Sequence, residues 1–323
     1  MSLQSGDRFD DRERPGGRKR PDDRERPSHP IVAEFALVTA ALVGVSLWRR
    51  LSSDVLSLAF GSPAAFDGLL LNGVVTGGVF VAGVALFAGL YAAVRDVDVG
   101  LALPSRNDLR LTGLAAVTPV ALVGLTKLVG TATGVPYNSL TKTAYAADAS
   151  VTPVLIVAGL GLVVAVPVLV IVCQVLVQGS FRRVLDGGSA VALTTLATGF
   201  VSMSTTGGLT PVPDRGKLAG AALFALLFGG GLYARDRVAD DRLRALFLAP
   251  VGLFGAVVVL SGIAAVESVA SGLFALTHLA VLGLAAYAYE RTGSLAVPAV
   301  AYASLLLANR LVVYLFEPGM QNW

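Results

Sequence analysis

Charged residues are scarce in this chain of 323 residues, since Asp, Glu, Lys and Arg make up only 15% of it while hydrophobic residues make up 54%. A soluble domain carries about 25% charged residues, so the composition excludes a water-soluble globular protein. Several stretches of eighteen or more residues contain no charge, and about twenty apolar residues cross a bilayer as a helix. The sequence therefore predicts an all-α polytopic transmembrane bundle, because its long apolar runs do not alternate as barrel strands do.

Cysteine and histidine are nearly absent. The single cysteine, Cys173, excludes a disulfide within the chain, and two histidines, His29 and His278, are too few for a histidine-rich metal site. We expect no metal and no cofactor. Despite a pI of about 9.1, we expect no nucleic-acid binding, because the positive charges lie in short loops between apolar segments. The excess of arginine over lysine and of aspartate over glutamate is typical of a GC-rich or halophilic composition, such as that of many archaea.

The chain divides into a charged tail and a membrane domain. Residues 1–29 alternate acidic and basic residues and have little to bury, which predicts a disordered cytoplasmic tail. Residues 30–323 form the predicted transmembrane domain. Nine membrane segments are predicted within it, at residues 31–48, 69–94, 110–130, 151–177, 188–206, 217–234, 245–265, 268–289 and 294–315.

Lysine and arginine are divided unevenly between the two sides of these segments. With the tail inside, eighteen of the 25 basic residues lie on the cytoplasmic side, namely eight in the tail and Arg95, Arg106, Arg110, Arg182, Arg183, Arg235, Arg237, Arg242, Arg244 and Arg291. Five lie on the other side: Arg49, Arg50, Lys142, Arg215 and Lys217. Because short cytoplasmic loops carry the excess of Lys and Arg, we expect a multi-pass plasma-membrane protein with a cytoplasmic N-terminus and an external C-terminus.

Polar side chains inside the predicted membrane segments are few. Gln174 and Gln178 follow a long apolar run and lie four residues apart, so they share one face of a helix. An unpaired amide in an apolar medium costs on the order of several kcal/mol, which predicts a polar partner for this face. His278 lies within another apolar segment, three helical turns after Glu267. Two interpretations of His278 are open: a neutral imidazole bonded to a neighbouring helix, or a proton relay with Glu267.

Four stretches carry a family resemblance. The most specific, YERTGSLAVPAVAYASLLLANRL (289–311), has a tyrosine, then Arg-Thr-Gly-Ser-Leu, then a proline four residues past the serine. The others are DVGLALPSRNDLRLTGLAA (98–116), CQVLVQGSFRRVL (173–185) and ALTTLATGFVSMS (192–204). In their order along the chain they resemble the motifs of the CPBP intramembrane proteases, which include the CAAX prenyl-protein endoproteases. The resemblance covers about residues 90–316 and implies a CPBP-like core with an extra helix pair within about 207–266.

The resemblance also implies that this chain has lost the family's catalytic residues. The family uses two adjacent glutamates, an arginine, a histidine and then a second histidine with an asparagine. The corresponding residues here are Cys173, Gln174, Gln178, Ser204, Tyr302 and Leu306. In the family a glutamate activates water while histidines and an asparagine orient it and stabilise the oxyanion. Glutamine accepts no proton near neutral pH, and cysteine attacks only as a thiolate, which an apolar helix disfavours.

Three functions are open on this basis. The first is a catalytically silent CPBP-fold protein that binds a membrane-embedded peptide or protein partner as a scaffold or substrate trap. The second is an active intramembrane endopeptidase with a non-standard site of Cys173, His278 and Glu267. The third is a small transporter, which the extra helix pair and the presence of Glu267 and His278 suggest. In each case the lipid bilayer surrounds the protein.

Overall fold

The described part of the chain is helical apart from its loops and one isolated bridge between Met203 and Leu209. The structure, a computed structural model, describes residues 30–61, 68–148, 150–204, 208–238 and 241–319. The predicted tail, 1–29, lies outside them. The helices are α1 (Pro30–Phe60), α2 (Leu69–Arg95), α3 (Leu109–Thr133), α4 (Tyr137–Thr141), α5 (Val151–Val170), α6 (Gly179–Phe181), α7 (Gly187–Ser202), α8 (Arg215–Asp236), α9 (Asp241–Ala264), α10 (Val269–Thr292) and α11 (Ala296–Phe316).

Eight helices in the described ranges are long and apolar enough to cross a membrane. They are α1, α2, α3, the continuous helix that runs from α5 through α6, and α8 to α11. The predicted segment 188–206 forms α7, which is apolar but only 16 residues long. At 1.5 Å per residue it spans about 24 Å, which is shorter than a hydrocarbon core of about 30 Å. The chain is an all-α integral membrane protein.

The described part of the segment that follows α7 is not helical, and backbone hydrogen bonds within it satisfy part of its polar groups. The Ser204 N–H donates to the Gly208 carbonyl at 2.9 Å, and the Thr210 N–H donates to the Ser202 carbonyl at 2.7 Å. Lys217, from the first turn of α8, donates to the Met203 carbonyl. Non-helical backbone is tolerated at membrane depth only where its polar groups find partners within the protein. These bonds therefore allow α7 to end early.

The centre and the edge of the bundle differ sharply in burial. Every residue of 172–181, at the end of the long central helix, is buried. This helix packs against α2 and α11, while α3, α10 and α11 pack closely on one another. At the edge, α9 packs mainly against α8, and no residue of Leu246–Ala264 is buried. The pair α8 and α9 occupies the sequence range of the expected extra helix pair.

Ion pairs show which helix ends lie together. At one end of the bundle, Arg95 at the end of α2 pairs with Glu34 in the first turns of α1, and Arg182 Nε lies 3.1 Å from Glu290 Oε2 near the end of α10. At the opposite end, Lys127 of α3 pairs with Glu317, which directly follows α11. We refer to these as the Glu34 end and the Glu317 end. The first and last helices therefore begin and finish at opposite ends of the bundle.

Candidate functional site

The candidate site is built on an irregular part of the central helix. Residues Ile171–Gln178 form a π-helical segment between α5 and α6, which begins four residues after Pro167. Proline removes a backbone donor and crowds the preceding turn of a helix, and π turns are frequent at functional sites. The segment contains Cys173, Gln174 and Gln178, and all three side chains are fully buried.

Gln174 joins the π-helical segment to α11. Its Nε2 donates to the Tyr302 hydroxyl at 3.0 Å, and neither residue is exposed. The Cys173 thiol lies beside the same Tyr302 hydroxyl and beside the hydroxyl of Ser202, at the last residue of α7. Two of the positions that the resemblance implies, 174 and 302, are thus directly bonded. A third, 173, touches the same phenol.

Gln178 joins the segment to α10 instead. Its Nε2 donates to the Ala286 carbonyl at 2.9 Å and lies 3.4 Å from Glu290 Oε2. The polar face of the two glutamines therefore has a separate partner for each amide. Glu290 also faces the guanidinium of Arg182, so an amide and a guanidinium contact the same carboxylate.

The remaining two aligned positions lie apart from this contact. Ser204 stands beyond the end of α7, in the bonded turn, while Ser202 is the serine beside the thiol. Leu306 lies on α11 and packs against the apolar core. Ser202 rather than the aligned Ser204 lies beside the thiol because α7 ends at Ser202, and no proline or glycine in the sequence marks that end.

His278 is buried with only 1% of its surface exposed. Its Nδ1 lies 2.7 Å from the Phe274 carbonyl, one helical turn earlier, and the two rings are 4.3 Å apart. Because a carbonyl only accepts, Nδ1 carries the proton and Nε2 is the acceptor. In the described residues Nε2 has no hydrogen-bond partner. It faces Gly208, where an added Cβ would lie 3.9 Å away.

Glu267 is not brought to this histidine. It lies exposed in the loop between α9 and α10, whereas His278 is buried about two and a half turns into α10. The polar neighbours of Cys173 are two hydroxyl groups, and that of His278 is a backbone carbonyl. The described structure thus shows no hydrogen-bonded unit of thiol, imidazole and carboxylate.

Two of the stretches that carry the resemblance bind each other. The Tyr289 hydroxyl donates to the Asp98 carbonyl at 3.0 Å. The Ser294 hydroxyl donates to the Ala102 carbonyl at 2.5 Å, and the Leu295 N–H donates to the Gly100 carbonyl at 2.8 Å. The Arg-Thr-Gly-Ser-Leu motif therefore fastens the loop after α2 to the turn between α10 and α11. These residues have a structural role at the Glu34 end.

An apolar groove of about 320 Å³ lies between α1, α7, α8 and α9. Four phenylalanines line it together with Val177 of the π-helical segment; they are Phe35, Phe200, Phe224 and Phe254. We call it the α1–α9 groove. Its lining does not include Cys173, Gln174 or Tyr302. The groove and the buried polar contact therefore lie on different sides of the same segment.

Compared with models of known protein families, with curated proteins and with solved structures, the chain matches none. The family resemblance depends on the quoted motifs alone.

Proposed function

We propose that this chain is a catalytically silent, CPBP-like membrane protein that acts by binding inside the membrane. The observation that carries the proposal is the hydrogen bond from Gln174 Nε2 to the Tyr302 hydroxyl. It joins two positions at which the family has a glutamate and a histidine. A buried hydrogen bond between an amide and a phenol supports cohesion of the bundle rather than hydrolysis, because neither group takes a proton from water near neutral pH.

Burial of the contact supports the same conclusion. Hydrolysis requires water and a peptide bond within reach of the acid and base, and Cys173, Gln174 and Tyr302 are fully buried. A cysteine nucleophile also needs a neighbouring base, whereas the polar neighbours of this thiol are the hydroxyls of Ser202 and Tyr302. These features favour a silent site over a non-standard peptidase.

The outer face of α9 is the surface best suited to a membrane-embedded protein partner. Apolar exposure alone does not require a partner, since lipid tails are equally apolar, but small residues four apart allow helices to approach closely. Gly252 and Ala256 have this spacing and are exposed, beside Leu253 and Val257. We propose that a transmembrane helix of another protein packs here, and that the α8–α9 pair provides the scaffold surface.

The silent site is tested with purified protein in vesicles and a panel of prenylated and unmodified membrane peptides, analysed by mass spectrometry. We expect no cleavage. Cleavage that disappears in Cys173→Ala or His278→Ala would overturn the proposal in favour of a peptidase.

Binding at α9 is tested by placing a photo-crosslinking amino acid at Leu253 in cells. The matched control is Leu86 of α2, which is similarly exposed on another helix. We expect a defined membrane-protein adduct at position 253 and none at position 86. Equal yields at both positions would indicate random collisions and would contradict a scaffold surface on α9.

A further inference from the structure

Three arginines and two glutamates form a cluster of two ion-pair groups at the Glu34 end, which the adjacent residues Arg182 and Arg183 bring together. Glu34 pairs with Arg95 and lies 3.9 Å from the Arg183 guanidinium, while Glu290 pairs with Arg182. The cluster has one more positive than negative charge. Glu34 is buried, but the side chains of Arg182 and Arg183 are each 37% exposed. The exposed part of the cluster is therefore cationic.

Arg183 is the least firmly paired of the three arginines. Its only ion-pair partner in the described residues is Glu34 at 3.9 Å, a carboxylate that Arg95 already contacts directly. The aspartate that follows in sequence, Asp186, is engaged elsewhere: it accepts the Ser189 N–H at 3.0 Å and caps α7, and these bonds lower the pKa of its carboxyl. The Arg183 guanidinium is thus available to a further anion.

The cationic cluster is continuous with the α1–α9 groove. Phe35 directly follows Glu34 in α1 and lines the groove. Its ring lies 5.5 Å from that of Phe181, two residues before Arg183, and 5.1 Å from that of Phe224 on the far wall of the groove. A molecule with an anionic head and an apolar tail could therefore place its head at the arginines and its tail against the phenylalanines of the groove.

We infer that the Glu34 end and the α1–α9 groove together form a binding site for an anionic phospholipid, with its phosphate at Arg183 and one acyl chain in the groove. Guanidinium binds phosphate through paired, charge-assisted hydrogen bonds, and basic pockets between membrane helices bind anionic headgroups. The groove lining is apolar except for Thr39, and its volume of about 320 Å³ lies within the range of ligand pockets. An extended peptide is disfavoured because such a lining leaves its backbone groups unbonded.

The site is tested by electron paramagnetic resonance on the full chain in phosphatidylcholine vesicles that contain a trace of chain-labelled lipid. The measured quantity is the fraction of label immobilised by the protein, for phosphatidylglycerol and for phosphatidylcholine. We expect preference for phosphatidylglycerol, and Arg183→Gln should reduce that preference about fivefold, the equivalent of about 1 kcal/mol for one arginine at the surface. The control, Arg291→Gln, removes an exposed arginine at the same end that lies over Tyr287. It should leave the preference unchanged.

The groove is tested with two glycines of α9. Gly255 lines the groove and Gly262 does not, and an added Cβ meets nothing within 4 Å at either position. Gly255→Leu should reduce the immobilised phosphatidylglycerol fraction to that of phosphatidylcholine, while Gly262→Leu should not. If Gly255→Leu does not reach the membrane, Leu196→Trp fills the groove from α7, where Leu196 is 66% exposed. Adding 10 mM inorganic phosphate should displace little lipid, because phosphate lacks the acyl chain.

Three results would overturn the inference: equal immobilisation of the two lipids, equal effects of Arg183→Gln and Arg291→Gln, or equal effects of the two glycine variants. Full displacement of the labelled lipid by inorganic phosphate would be a fourth such result, because it would show that the groove contributes nothing to binding. None of these results bears on the α9 partner or on peptidase activity.

Discussion

At the scale of single residues, polar groups in this protein are used to hold helices together. Gln174 bonds Tyr302, Gln178 bonds the Ala286 carbonyl, and Thr126 bonds Thr277 across α3 and α10 at 3.1 Å. Each of these contacts gives a polar atom inside the membrane a hydrogen-bond partner on a neighbouring helix, while Gln174 Oε1 and Gln178 Oε1 have none among the described residues. The residues that stand out in the sequence as candidates for chemistry are therefore explained first by cohesion.

Tyr302→Phe removes the acceptor of the Gln174 amide and leaves a buried donor without a partner. We expect the free energy of unfolding to fall by about 1 kcal/mol. The measurement is equilibrium unfolding in mixed detergent micelles. Tyr287→Phe is the control, because Tyr287 is 43% exposed; an equal loss in both variants would show that the Gln174 bond contributes nothing.

Gly100→Ala tests the contact between the two motif stretches. A Cβ at residue 100 would lie 1.6 Å from the Gly293 carbonyl oxygen, so the loop must move and lose its bond from Leu295. We expect a loss of about 2–4 kcal/mol in unfolding free energy. Gly113→Ala, in α3, meets nothing within 4 Å and should instead stabilise by about 0.5–1 kcal/mol. The same sign for both variants would contradict the close approach.

At the scale of elements, the π-helical segment bonds two neighbouring helices from one face. Residues 174 and 178 are nearly one turn apart and so share that face, which bonds α11 through Gln174 and α10 through Gln178. The early end of α7 places Ser202 beside Cys173 and leaves Ser204 in the turn.

The geometry of these three elements is accessible through Cys173, the only thiol in the chain. A second cysteine at Ser202 or Tyr302 should crosslink to it with a short bis-thiol linker, and one at Ser204 should crosslink less well. Cysteines at Val164 and Val312, which lie elsewhere on α5 and α11, should not crosslink. The readout is a mobility shift on gels. Crosslinking at all five positions would indicate a loose bundle, and none at 202 and 302 would refute the arrangement.

At the Glu317 end, one carboxylate fastens three elements. Glu317 accepts from Lys127 of α3 and from the backbone N–H groups of Asn138 at 2.6 Å and Tyr137 at 2.8 Å. Burial by itself would raise the pKa of Glu317, but these bonds outweigh it and hold the pKa below its usual value of 4.5. The charged form is therefore stabilised by folding.

This lowered pKa predicts a dependence of stability on pH. The contribution of Glu317 is fully present above pH 4.5 and is lost as the pH falls through its lower value in the folded protein. The unfolding midpoint of the wild type should therefore fall in acid. The unfolding midpoint of Glu317→Gln should be lower than that of the wild type at pH 7 and should fall less in acid. Thermal unfolding between pH 7 and pH 3 measures this, with Glu267→Gln, an exposed carboxylate of the same end, as the control. If the unfolding midpoint of Glu317→Gln fell with pH in parallel with that of the wild type, the bonds to the Glu317 carboxylate would not contribute to stability.

At the scale of the whole molecule, the ion pairs define which helix ends lie together, and the predicted orientation follows from charge alone. The ion pairs place the start of α1 and the end of α11 at opposite ends of the bundle. The eight long helices of the described ranges alone would return the chain to the same end, so α7 and the loop after it must also lead from one end to the other. The arginines of the Glu34 end lie on the side that the distribution of basic residues predicts to be cytoplasmic.

Topology reporters fused to the two termini test this directly. We expect a cytoplasmic signal from a fusion before Met1 and an external signal from a fusion after Trp323. Signals on the same side would mean that α7, with 16 residues, enters the membrane without crossing it.

The sequence by itself determined that the chain is an all-α bundle, and it located the eight long helices to within a few residues except at the end of α1, which reaches Phe60 rather than residue 48. The ninth predicted segment, 188–206, forms the 16-residue α7, which is shorter than a membrane span. Hydropathy is sufficient for this, because a helix in hydrocarbon satisfies its backbone internally and only the apolar length of each segment matters. Its motifs also predicted that residues 173–178 and 302 belong to one site, and Gln174 and Tyr302 are in contact.

Only the tertiary structure decided which atoms meet. The partners of Gln178, the clamp on Glu317 and the approach of Gly100 to Gly293 join residues more than one hundred positions apart in sequence. The apolar pattern of the sequence shows neither the π-helical segment nor the early end of α7, and both affect which side chains meet. Side-chain pairing inside a membrane depends on helix rotation and depth, and these are set by packing against neighbours.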